Sequence, residues 1–335
     1  MPSPAVAQMR AAVINAHGGP ECLAVEDKEV PTPRTGHLLV KVMAAGLNFH
    51  DVIERRSGYP GRAAPPISTG LEGAGEVIAV GADTTEAQVG ARVAWAAVQG
   101  SHAQYVDVPA ADAIPVPKWL DPVDAAAVCA QGLTAHYLDT SLRSVAAGDT
   151  ALVWAAAGGV GRMLTQFLAA RGVRVIAATS SEAKAAIALE AGAERSVRYE
   201  DVPSAVRELT GGVGVDVVFD GIGAPTFDVS LDSVRPRGLL VVYGRAGGQV
   251  PPVDLFRLSG AGSVQLVRPR LADFIATRDE LTCRSNELFA AIRSGNVTAR
   301  VESVFPLEDV ADAHRLLESR RTMGKVVILP WPDED

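Results

Sequence analysis

A glycine-rich turn between an apolar strand and a helix constrains this sequence more than any other feature. The apolar run Ala151–Val153 leads into Trp154–Gly161, and a segment of helical character follows. Ala156, Gly158 and Gly161 have the G-x-G-x-x-G spacing, with alanine at the first position. Backbone N–H groups and the positive end of the helix dipole converge at such a turn. The segment therefore predicts a binding site for the pyrophosphate of a dinucleotide.

The end of the next predicted strand indicates which dinucleotide is bound. Val173–Ala178 is the next apolar run, and Thr179–Ser181 and Lys184 follow it. Units that bind NAD carry Asp or Glu about 20 residues past the glycine motif, whereas hydroxyls with a lysine suit the 2′-phosphate of NADPH. NADPH is therefore the predicted cofactor. Glu182 leaves an alternative open because it could turn towards the ribose, although the helix dipole also favours a carboxylate in a first helical turn.

The composition is that of a globular protein with room for two domains. The chain has 335 residues, of which 48% are hydrophobic and 21% are charged. Its formal net charge of −8 argues against a nucleic acid or an anionic membrane as partner. No apolar stretch reaches the roughly 18 residues of a transmembrane helix, and the first residues lack a signal-peptide pattern. The 3 cysteines are far apart, which predicts neither disulfides nor a metal knuckle, so we expect a cytoplasmic protein.

The chain passes from a β-rich part to a part that alternates strands and helices. Residues from about Arg10 to Val108 contain short strand-like segments separated by glycine and proline turns. Val215–Asp220 and Gly238–Tyr243 are nearly continuous apolar runs, which are typical of a parallel sheet covered on both faces. A long helix is expected from Pro269 to about Arg293, and a closing strand at Lys325–Leu329.

This order predicts an α/β fold in which a Rossmann, doubly wound parallel sheet is inserted in a β-rich domain. Ligands of such sheets bind at the carboxyl ends of the strands. We therefore expect the ligand in a cleft between the two domains.

Four motifs extend the pattern over nearly the whole chain: Gly46–Asp51, Ser57–Pro60, Gly70–Val77 and Ala155–Gly161. In this order they resemble the zinc-free quinone oxidoreductase branch of the medium-chain dehydrogenase/reductase superfamily. The resemblance implies that residues 1–129 and 268–335 form a GroES-like substrate and catalytic domain. Residues 130–267 would then form the Rossmann NADPH-binding domain.

The resemblance also implies a set of cofactor contacts. The glycine turn would lie against the pyrophosphate, and Ser180, Lys184 and Tyr199 would surround the 2′-phosphate. Thr134 corresponds to a hydroxyl beside the nicotinamide ribose, while the Asn48 amide would approach the nicotinamide and the substrate carbonyl. The complete implied set is Asn48, Thr134, Gly158, Gly159, Val160, Gly161, Ser180, Lys184, Tyr199, Tyr243, Gly244 and Arg268.

The same resemblance predicts that no catalytic metal is bound. Zinc-dependent members of the superfamily carry Cys at the position of Asn48 and His at the position of Leu71. Asn is a poor ligand for Zn²⁺ and Leu is none, so a Cys/His site cannot form here. His50 and Glu72 alone do not close a tetrahedral site. Without a Lewis acid, hydride addition to a carbon conjugated to a carbonyl is easier than dehydrogenation of an alcohol. Quinones, enones or enoyl thioesters are therefore the favoured acceptors.

The implied substrate pocket departs from the family at one position. Quinone oxidoreductases of this branch carry Tyr where Ile53 stands, so a phenol is lost and the pocket becomes more apolar. Tyr59 could supply a polar group instead, and Asn48 and Tyr59 are the predicted catalytic residues. Tyr137 completes the predicted pocket with Ile53 and Tyr59. His50 is an alternative proton donor, although a packed or exposed histidine is the commoner role.

Together these residues predict an NADPH-dependent reductase that transfers hydride to a quinone or another conjugated carbonyl acceptor. The substitution at Ile53 leaves open an enoyl reductase that acts on an enoyl thioester or a polyketide-type intermediate. An NADPH-binding protein with little turnover is a third possibility. The resemblance further implies a homodimer that pairs edge strands around Gly262–Val267.

Overall fold

The fold is that of a computed structural model, which describes residues 7–58, 63–142 and 145–331. Tyr59, a predicted site residue, lies outside the described residues. The chain forms two compact units. Unit 1 contains residues 1–130, 276–285 and 299–335, and unit 2 contains residues 131–275 and 286–298.

The first part of the chain is built mainly of strands. In the third strand, Lys41 and Met43 face outward between the buried residues Val40, Val42 and Ala44, as expected for a half-buried strand. The elements described here are β1 (Gln8–Ile14), β2 (Leu23–Glu29), β3 (His37–Leu47), α1 (Phe49–Ser57), β4 (Ile67–Ser68), β5 (Glu72–Val80), β6 (Arg92–Trp95), β7 (Tyr105–Pro109), β8 (Ile114–Pro115) and α2 (Pro122–Thr140).

The central part alternates strands with helices. Three of its strands, Thr150–Trp154, Arg174–Thr179 and Val215–Asp220, are almost entirely buried, as expected for the inner strands of a parallel sheet that is covered on both faces. The elements described here are β9 (Thr150–Trp154), α3 (Gly159–Ala170), β10 (Arg174–Thr179), α4 (Glu182–Glu190), β11 (Arg195–Arg198), α5 (Val202–Leu209), β12 (Val215–Asp220), α6 (Phe227–Ser233), β13 (Val234–Val242), α7 (Phe256–Gly260) and β14 (Gln265–Val267).

The last part differs from the single long helix expected after Pro269. Two helices are present, because Thr277 and Glu280 form a capping box that starts a new one. Each donates its backbone N–H to the other's side chain at 3.2 Å. The remaining elements are α8 (Leu271–Phe274), α9 (Arg278–Arg293), β15 (Val301–Pro306), α10 (Val310–Glu318) and β16 (Lys325–Leu329).

Unit 1 contains two sheets in the described part of the chain. β1 pairs with β2 and β4, and the larger sheet has the order β15-β16-β3-β5-β6-β8, with β7 also paired to β3. Its core includes Val40, Trp95 and Ile328. The register pairs Gly46 with Glu72 across β3 and β5, and β16 pairs with the same end of β3. The ends of these three strands therefore lie side by side.

Unit 2 contains one sheet of parallel strands in the order β11-β10-β9-β12-β13-β14. This is the doubly wound Rossmann order, which reverses direction next to β9. Its core includes Leu152, Ile176 and Val218. The predicted fold class, with a Rossmann sheet inserted between two segments of a β-rich part, is confirmed.

The two units differ from the predicted domain ranges after β14. Residues 268–275 and 286–298 belong to unit 2 rather than to the β-rich part. Packing explains the difference, because the Phe274 ring stacks on Tyr137 with centroids 4.3 Å apart. The Thr298 hydroxyl likewise accepts hydrogen bonds from Arg162 (2.8 Å) and Gln166 (3.1 Å).

Helix length and polarity also bear on the membrane question. α2 has 19 residues but carries Asp124, Gln131 and His136 along its length. Among the helices that the structure describes, none is both long and apolar enough to cross a bilayer.

Candidate active site

The glycine turn of unit 2 joins β9 to α3. Ala155, directly after β9, has a φ of +52°, a left-handed conformation that is uncommon for alanine and that clusters at functional sites. The Gly158 N–H donates to the Ala155 carbonyl, and the Arg162 N–H donates to the Gly158 carbonyl, both at 2.8 Å. Residues 159–161 form the first turn of the helix, whose N–H groups have no intrahelical acceptors. This turn can therefore hold an anion.

Small residues are required at this turn. A Cβ on Gly161 would lie 2.4 Å from the Ala155 carbonyl oxygen, and a Cβ on Gly159 would lie 1.9 Å from Gln131 Oε1. The donor set and the close helix packing both fit the pyrophosphate of a dinucleotide.

Gly161→Ala should lower stability and weaken NADPH binding, because the new methyl group overlaps a backbone carbonyl that has no freedom to rotate away. Overpacking of this kind costs about 1–3 kcal/mol. Gly158→Ala is the matched control, because its Cβ would lie 3.1 Å from the same Ala155 oxygen. Thermal denaturation and NADPH titration compare the two variants. Equal melting temperatures and affinities would contradict the tight packing at Gly161.

Three neighbouring strands of unit 2 end beside one another. The parallel register pairs Thr179 of β10 with Arg198 of β11, so Ser180 and Tyr199 follow at the same edge of the sheet. The Trp154 ring at the end of β9 lies 5.2 Å from the Tyr199 ring, tilted by 59°. Aromatic rings therefore lie beside the end of β10, where a Rossmann unit binds the adenosine ribose.

Ser180 and Lys184 lie where α4 begins. Ser180 is exposed directly after β10, and the Ser181 hydroxyl caps α4 by accepting the Lys184 N–H at 3.3 Å. This cap fixes Lys184 in the first helical turn, where it is half-buried, while Glu182 is exposed. Hydroxyl groups, an ammonium group and a helix N-terminus are thus combined at the end of one strand, as a 2′-phosphate would require.

Tyr243, Gly244 and Arg268 form a cluster at the ends of β12, β13 and β14. The N–H groups of Tyr243 and Gly244 donate to the Asp220 carbonyl at 2.9 and 3.3 Å. Arg268 Nη1 donates to the Tyr243 carbonyl at 2.9 Å. Gly221 gives the phenol room, because a Cβ there would lie 2.7 Å from the Tyr243 hydroxyl. The structure therefore brings these three predicted residues together.

Thr134 and Tyr137 are three residues apart on α2 and face the same side of the helix. Thr134 is half-buried, and Tyr137 is buried with its ring parallel to Phe274 to within 2°. Burial raises the pKa of the Tyr137 phenol, against the opposing charge of Arg268. The phenol is neutral at physiological pH, so it can form a wall or a hydrogen-bond donor but not a base.

Asn48 of unit 1 belongs to a buried, charged network. Lys325 Nζ donates to Asn48 Oδ1 at 2.9 Å, and Asn48 Nδ2 donates to Glu72 Oε1 at 2.7 Å. Lys325 also donates to Glu72, whose Oε2 accepts the Ala130 N–H at 2.8 Å. Lys325 and Glu72 are 2% and 0% exposed. The Asn48 amide accepts a hydrogen bond at Oδ1 and donates one from Nδ2, so its orientation is fixed.

The network fits because Gly46 has no side chain. A Cβ on Gly46 would lie 2.4 Å from Glu72 Oε1 and 2.6 Å from Lys325 Cε. The ends of β3, β5 and β16 thus create the space for the ion pair and hold Asn48 at the start of α1. Ile53, the predicted pocket residue, lies on the same helix and is half-buried.

The resemblance implies that Asn48 stands where zinc-dependent members carry a cysteine ligand. Here its carbonyl oxygen accepts from the Lys325 ammonium, and this positive charge disfavours a metal ion at the same place. Three titratable side chains lie close together on α1. One side-chain atom each of His50, Asp51 and Glu54 lies within 4.8 Å of the others.

Two residues of the site were not identified from the sequence. Lys325 begins β16 and is 277 positions from Asn48, so no local pattern links them. Trp154 is part of the glycine motif, but only the sheet register places it beside Tyr199. One available signal was a lone lysine at the start of the apolar strand Lys325–Leu329, because a buried lysine requires a partner.

Comparisons with known proteins assign the chain to a family. The alcohol dehydrogenase GroES-like domain model matches residues 34–118, and the zinc-binding dehydrogenase model matches residues 159–279. A quinone oxidoreductase from Pseudomonas aeruginosa is 40% identical over 94% of this chain and 98% of its own length. This chain belongs to the quinone oxidoreductases of the medium-chain dehydrogenase/reductase superfamily. The resemblance inferred from the sequence motifs is confirmed, and unit 1 contains a GroES-like domain.

Two further relatives of this chain are informative. A 2-haloacrylate reductase from a Burkholderia species is 38% identical over 96% of this chain and 98% of its own length. A mycobacterial protein solved in complex with NADPH is 44% identical, with a TM-score of 0.92 over 96% of this chain and 100% of that one. The relatives therefore match nearly the whole of this chain, in sequence and, for the mycobacterial protein, in fold.

Proposed function

We propose that this protein is an NADPH-dependent reductase that transfers hydride to a quinone or another conjugated carbonyl acceptor without a metal. The observation that carries this proposal is the set of anion-binding groups on unit 2. A helix N-terminus, Ser180 and Lys184 lie at the ends of adjacent strands. The reaction class follows the family, because the Pseudomonas aeruginosa relative is a quinone oxidoreductase.

NADPH fits the residues of unit 2, and the mycobacterial relative solved with NADPH confirms the predicted cofactor for this family. When bound, NADPH supplies the hydride. The pyrophosphate would be held by residues 158–161, the 2′-phosphate by Ser180, Lys184 and Tyr199, and the nicotinamide side by Thr134, Tyr243, Gly244 and Arg268.

Asn48 is proposed to orient the acceptor through its amide. The bonds from Lys325 and to Glu72 prevent the amide from turning over, so the same donor is presented in every catalytic cycle. A donor on the acceptor carbonyl stabilises the negative charge that develops on its oxygen. Catalysis would otherwise depend on positioning and on the exclusion of water.

A strong chelator should leave the reductase activity unchanged, because the proposed reaction uses no Lewis acid. The Lys325 ammonium, 2.9 Å from Asn48 Oδ1, already supplies a positive charge at this position. The measurement is the rate of NADPH oxidation before and after dialysis against the chelator. Loss of activity that is restored by Zn²⁺ would contradict the metal-free reaction.

The acceptor class is tested by comparing three acceptors. Ile53 makes the proposed pocket more apolar than in relatives with Tyr, and the 2-haloacrylate reductase shows that a relative takes a conjugated carboxylate. NADPH oxidation with 1,4-benzoquinone, a simple enone and crotonyl thioester separates the alternatives. We expect turnover with the quinone. Turnover confined to the thioester would indicate an enoyl reductase instead of a quinone reductase. Tight NADPH binding without turnover would indicate a binding protein.

We also propose that the protein acts in the cytoplasm as a homodimer. β14 is the last strand in the order of the unit 2 sheet, and its outer edge, with residues Gly262–Val267, is suited to pair with a second copy. Light scattering of the purified protein tests the homodimer, and a monomer at micromolar concentration would contradict the homodimer.

A further inference from the structure

A cluster of three titratable side chains on α1 takes no part in the proposed function. One side-chain atom each of His50, Asp51 and Glu54 lies within 4.8 Å of the others. Asp51 and Glu54 are 0% and 1% exposed, whereas His50 is half-buried. The helix brings the three together, because Glu54 is four residues after His50 and three after Asp51.

Each buried carboxyl group has one oxygen with a known partner. Asp51 Oδ2 accepts the Asn48 N–H at 2.7 Å, and Glu54 Oε2 accepts from Gln99 Nε2 at 3.1 Å. The second oxygens, Asp51 Oδ1 and Glu54 Oε1, are buried and have no hydrogen-bond partner within the described residues. A buried polar atom left in this way is costly. Protonation of either carboxyl group would turn one of its oxygens into a hydrogen-bond donor and so lower this cost.

The charges around Asp51 favour such a proton. Burial raises the pKa of Asp51 to about 8, with further contributions from the negative charges of Glu54 and Glu72. The Asn48 N–H and the Lys325 ammonium act in the opposite direction. Among the described residues, the titratable groups that act on or lie beside Asp51 are therefore Glu54 and His50 on α1, Glu72 on β5 and Lys325 on β16. Burial and the neighbouring carboxylates therefore favour retention of a proton on Asp51 at neutral pH.

We propose that Asp51 and Glu54 share one buried proton, that this proton completes the reduction after hydride transfer, and that His50 restores it from solvent. This inference rests on the proposed function, because each hydride reduction consumes one proton. Asn48, proposed to contact the acceptor carbonyl, is bonded to Asp51 through its own N–H. The proton pair therefore lies directly behind the residue that orients the acceptor.

The proposed step balances in atoms and charge. The hydride brings two electrons and one hydrogen to the acceptor, whose oxygen is left with a negative charge. The O–H bond of Asp51 then breaks and a new O–H bond forms on the acceptor, which leaves both carboxyls of the pair ionised. His50 takes a proton from water and returns it to the pair. No further oxidant or reductant is required.

Infrared spectroscopy of the purified full-length protein tests for the proton without any turnover. The spectrum of the wild type minus that of Asp51→Asn should contain the carbonyl band of a protonated carboxyl at neutral pH. The band should disappear as the pH rises through about 8. Asn keeps an oxygen acceptor for the Asn48 N–H, so the start of α1 is retained. Glu54→Gln should move the loss of the band to lower pH, because one negative neighbour is removed.

Glu190→Gln is the matched control, because Glu190 is an exposed glutamate at the end of α4. It should leave the band and its pH dependence unchanged. Absence of a protonated carboxyl in the wild type at neutral pH would overturn the proposal. So would a stoichiometric divalent metal ion that is bound by the wild type and lost in Glu54→Gln.

Kinetics then test the delivery of the proton. Asp51→Asn should lower kcat about 10²-fold, within the usual range for loss of a positioned proton donor, with little change in the KM for NADPH. Wild-type kcat should fall above pH 8, as Asp51 loses its proton, and Glu54→Gln should move this fall to lower pH. A folded Asp51→Asn variant with wild-type kcat and pH profile would overturn the relay. Failure of the proposed function gives a different result. In that case none of the acceptors tested would support NADPH oxidation by the wild type, whatever the infrared result.

Discussion

Lys325→Met should lower the free energy of unfolding by about 3–5 kcal/mol, the usual cost of removing one partner of a buried ion pair. The substitution leaves the Glu72 carboxylate buried, and within the described residues its remaining hydrogen bonds come from Asn48 and the Ala130 N–H. Methionine fills the volume of the lysine stem, so the loss reports the charge and not a cavity. Chemical denaturation with a linear extrapolation measures the change.

Two variants control this prediction. Glu72→Gln combined with Lys325→Met should recover most of the lost stability, because no uncompensated charge remains. Lys28→Met removes a surface pair whose Lys28 and Glu26 side chains are 38% and 37% exposed, and should cost less than about 1 kcal/mol. A Lys325→Met protein as stable as the Lys28→Met protein would show that the buried pair contributes nothing.

Loss of Lys325 should also reduce catalysis, in a form that stability alone does not explain. The Asn48 amide would keep its bond to Glu72 but lose the ammonium on Oδ1, so its orientation would no longer be fixed. We expect kcat to fall while the affinity for NADPH is retained. An equal loss of NADPH affinity would indicate general damage to the fold.

Lys184→Ala should raise the Kd for NADPH roughly 10–100-fold, equivalent to the 1.5–3 kcal/mol of a hydrogen bond to a charged group. The Kd for NADH should change less than about 2-fold, because NADH lacks the 2′-phosphate that this ammonium is proposed to bind. The Ser181 cap holds Lys184 in the first turn of α4 through its backbone. The rest of the helix start therefore survives the substitution. Calorimetric titration with both dinucleotides gives the two constants.

Glu182→Gln is the matched variant in the same helical turn. Glu182 is exposed beside the proposed phosphate site, so removal of its charge should leave NADPH binding unchanged or make it tighter. Equal weakening of NADPH binding and NADH binding by Lys184→Ala would contradict a contact between Lys184 and the 2′-phosphate. Weaker NADH binding in Glu182→Gln would mean that the carboxylate faces the ribose, as a preference for NADH requires.

The Rossmann unit was predictable from the sequence because its signals are local. Apolar runs such as Val215–Asp220 became buried parallel strands, and the glycine motif became the β9–α3 turn. The break between α8 and α9 was missed, although Thr277 and Glu280 carry the spacing of a capping box. Local capping in this case outweighs the continuous helical pattern.

The chemistry of unit 1 was predictable only in part, because its contacts are distant in the chain. Asn48 was identified from a motif, but its partner Lys325 comes from a strand near the other end of the sequence. Glu72 was considered as a possible metal ligand and is instead bonded to Lys325 and Asn48. Sheet register decides these contacts, and register follows from the packing of whole strands rather than from a single segment.

The most direct test of the central claim is the ratio of kcat/KM for NADPH to that for NADH, measured on chelator-treated wild-type protein with 1,4-benzoquinone. We predict that NADPH is preferred by at least about tenfold, equivalent to 1.4 kcal/mol, and that hydroquinone forms without added metal. Equal efficiency with the two dinucleotides, or turnover only after Zn²⁺ is added, would contradict the account.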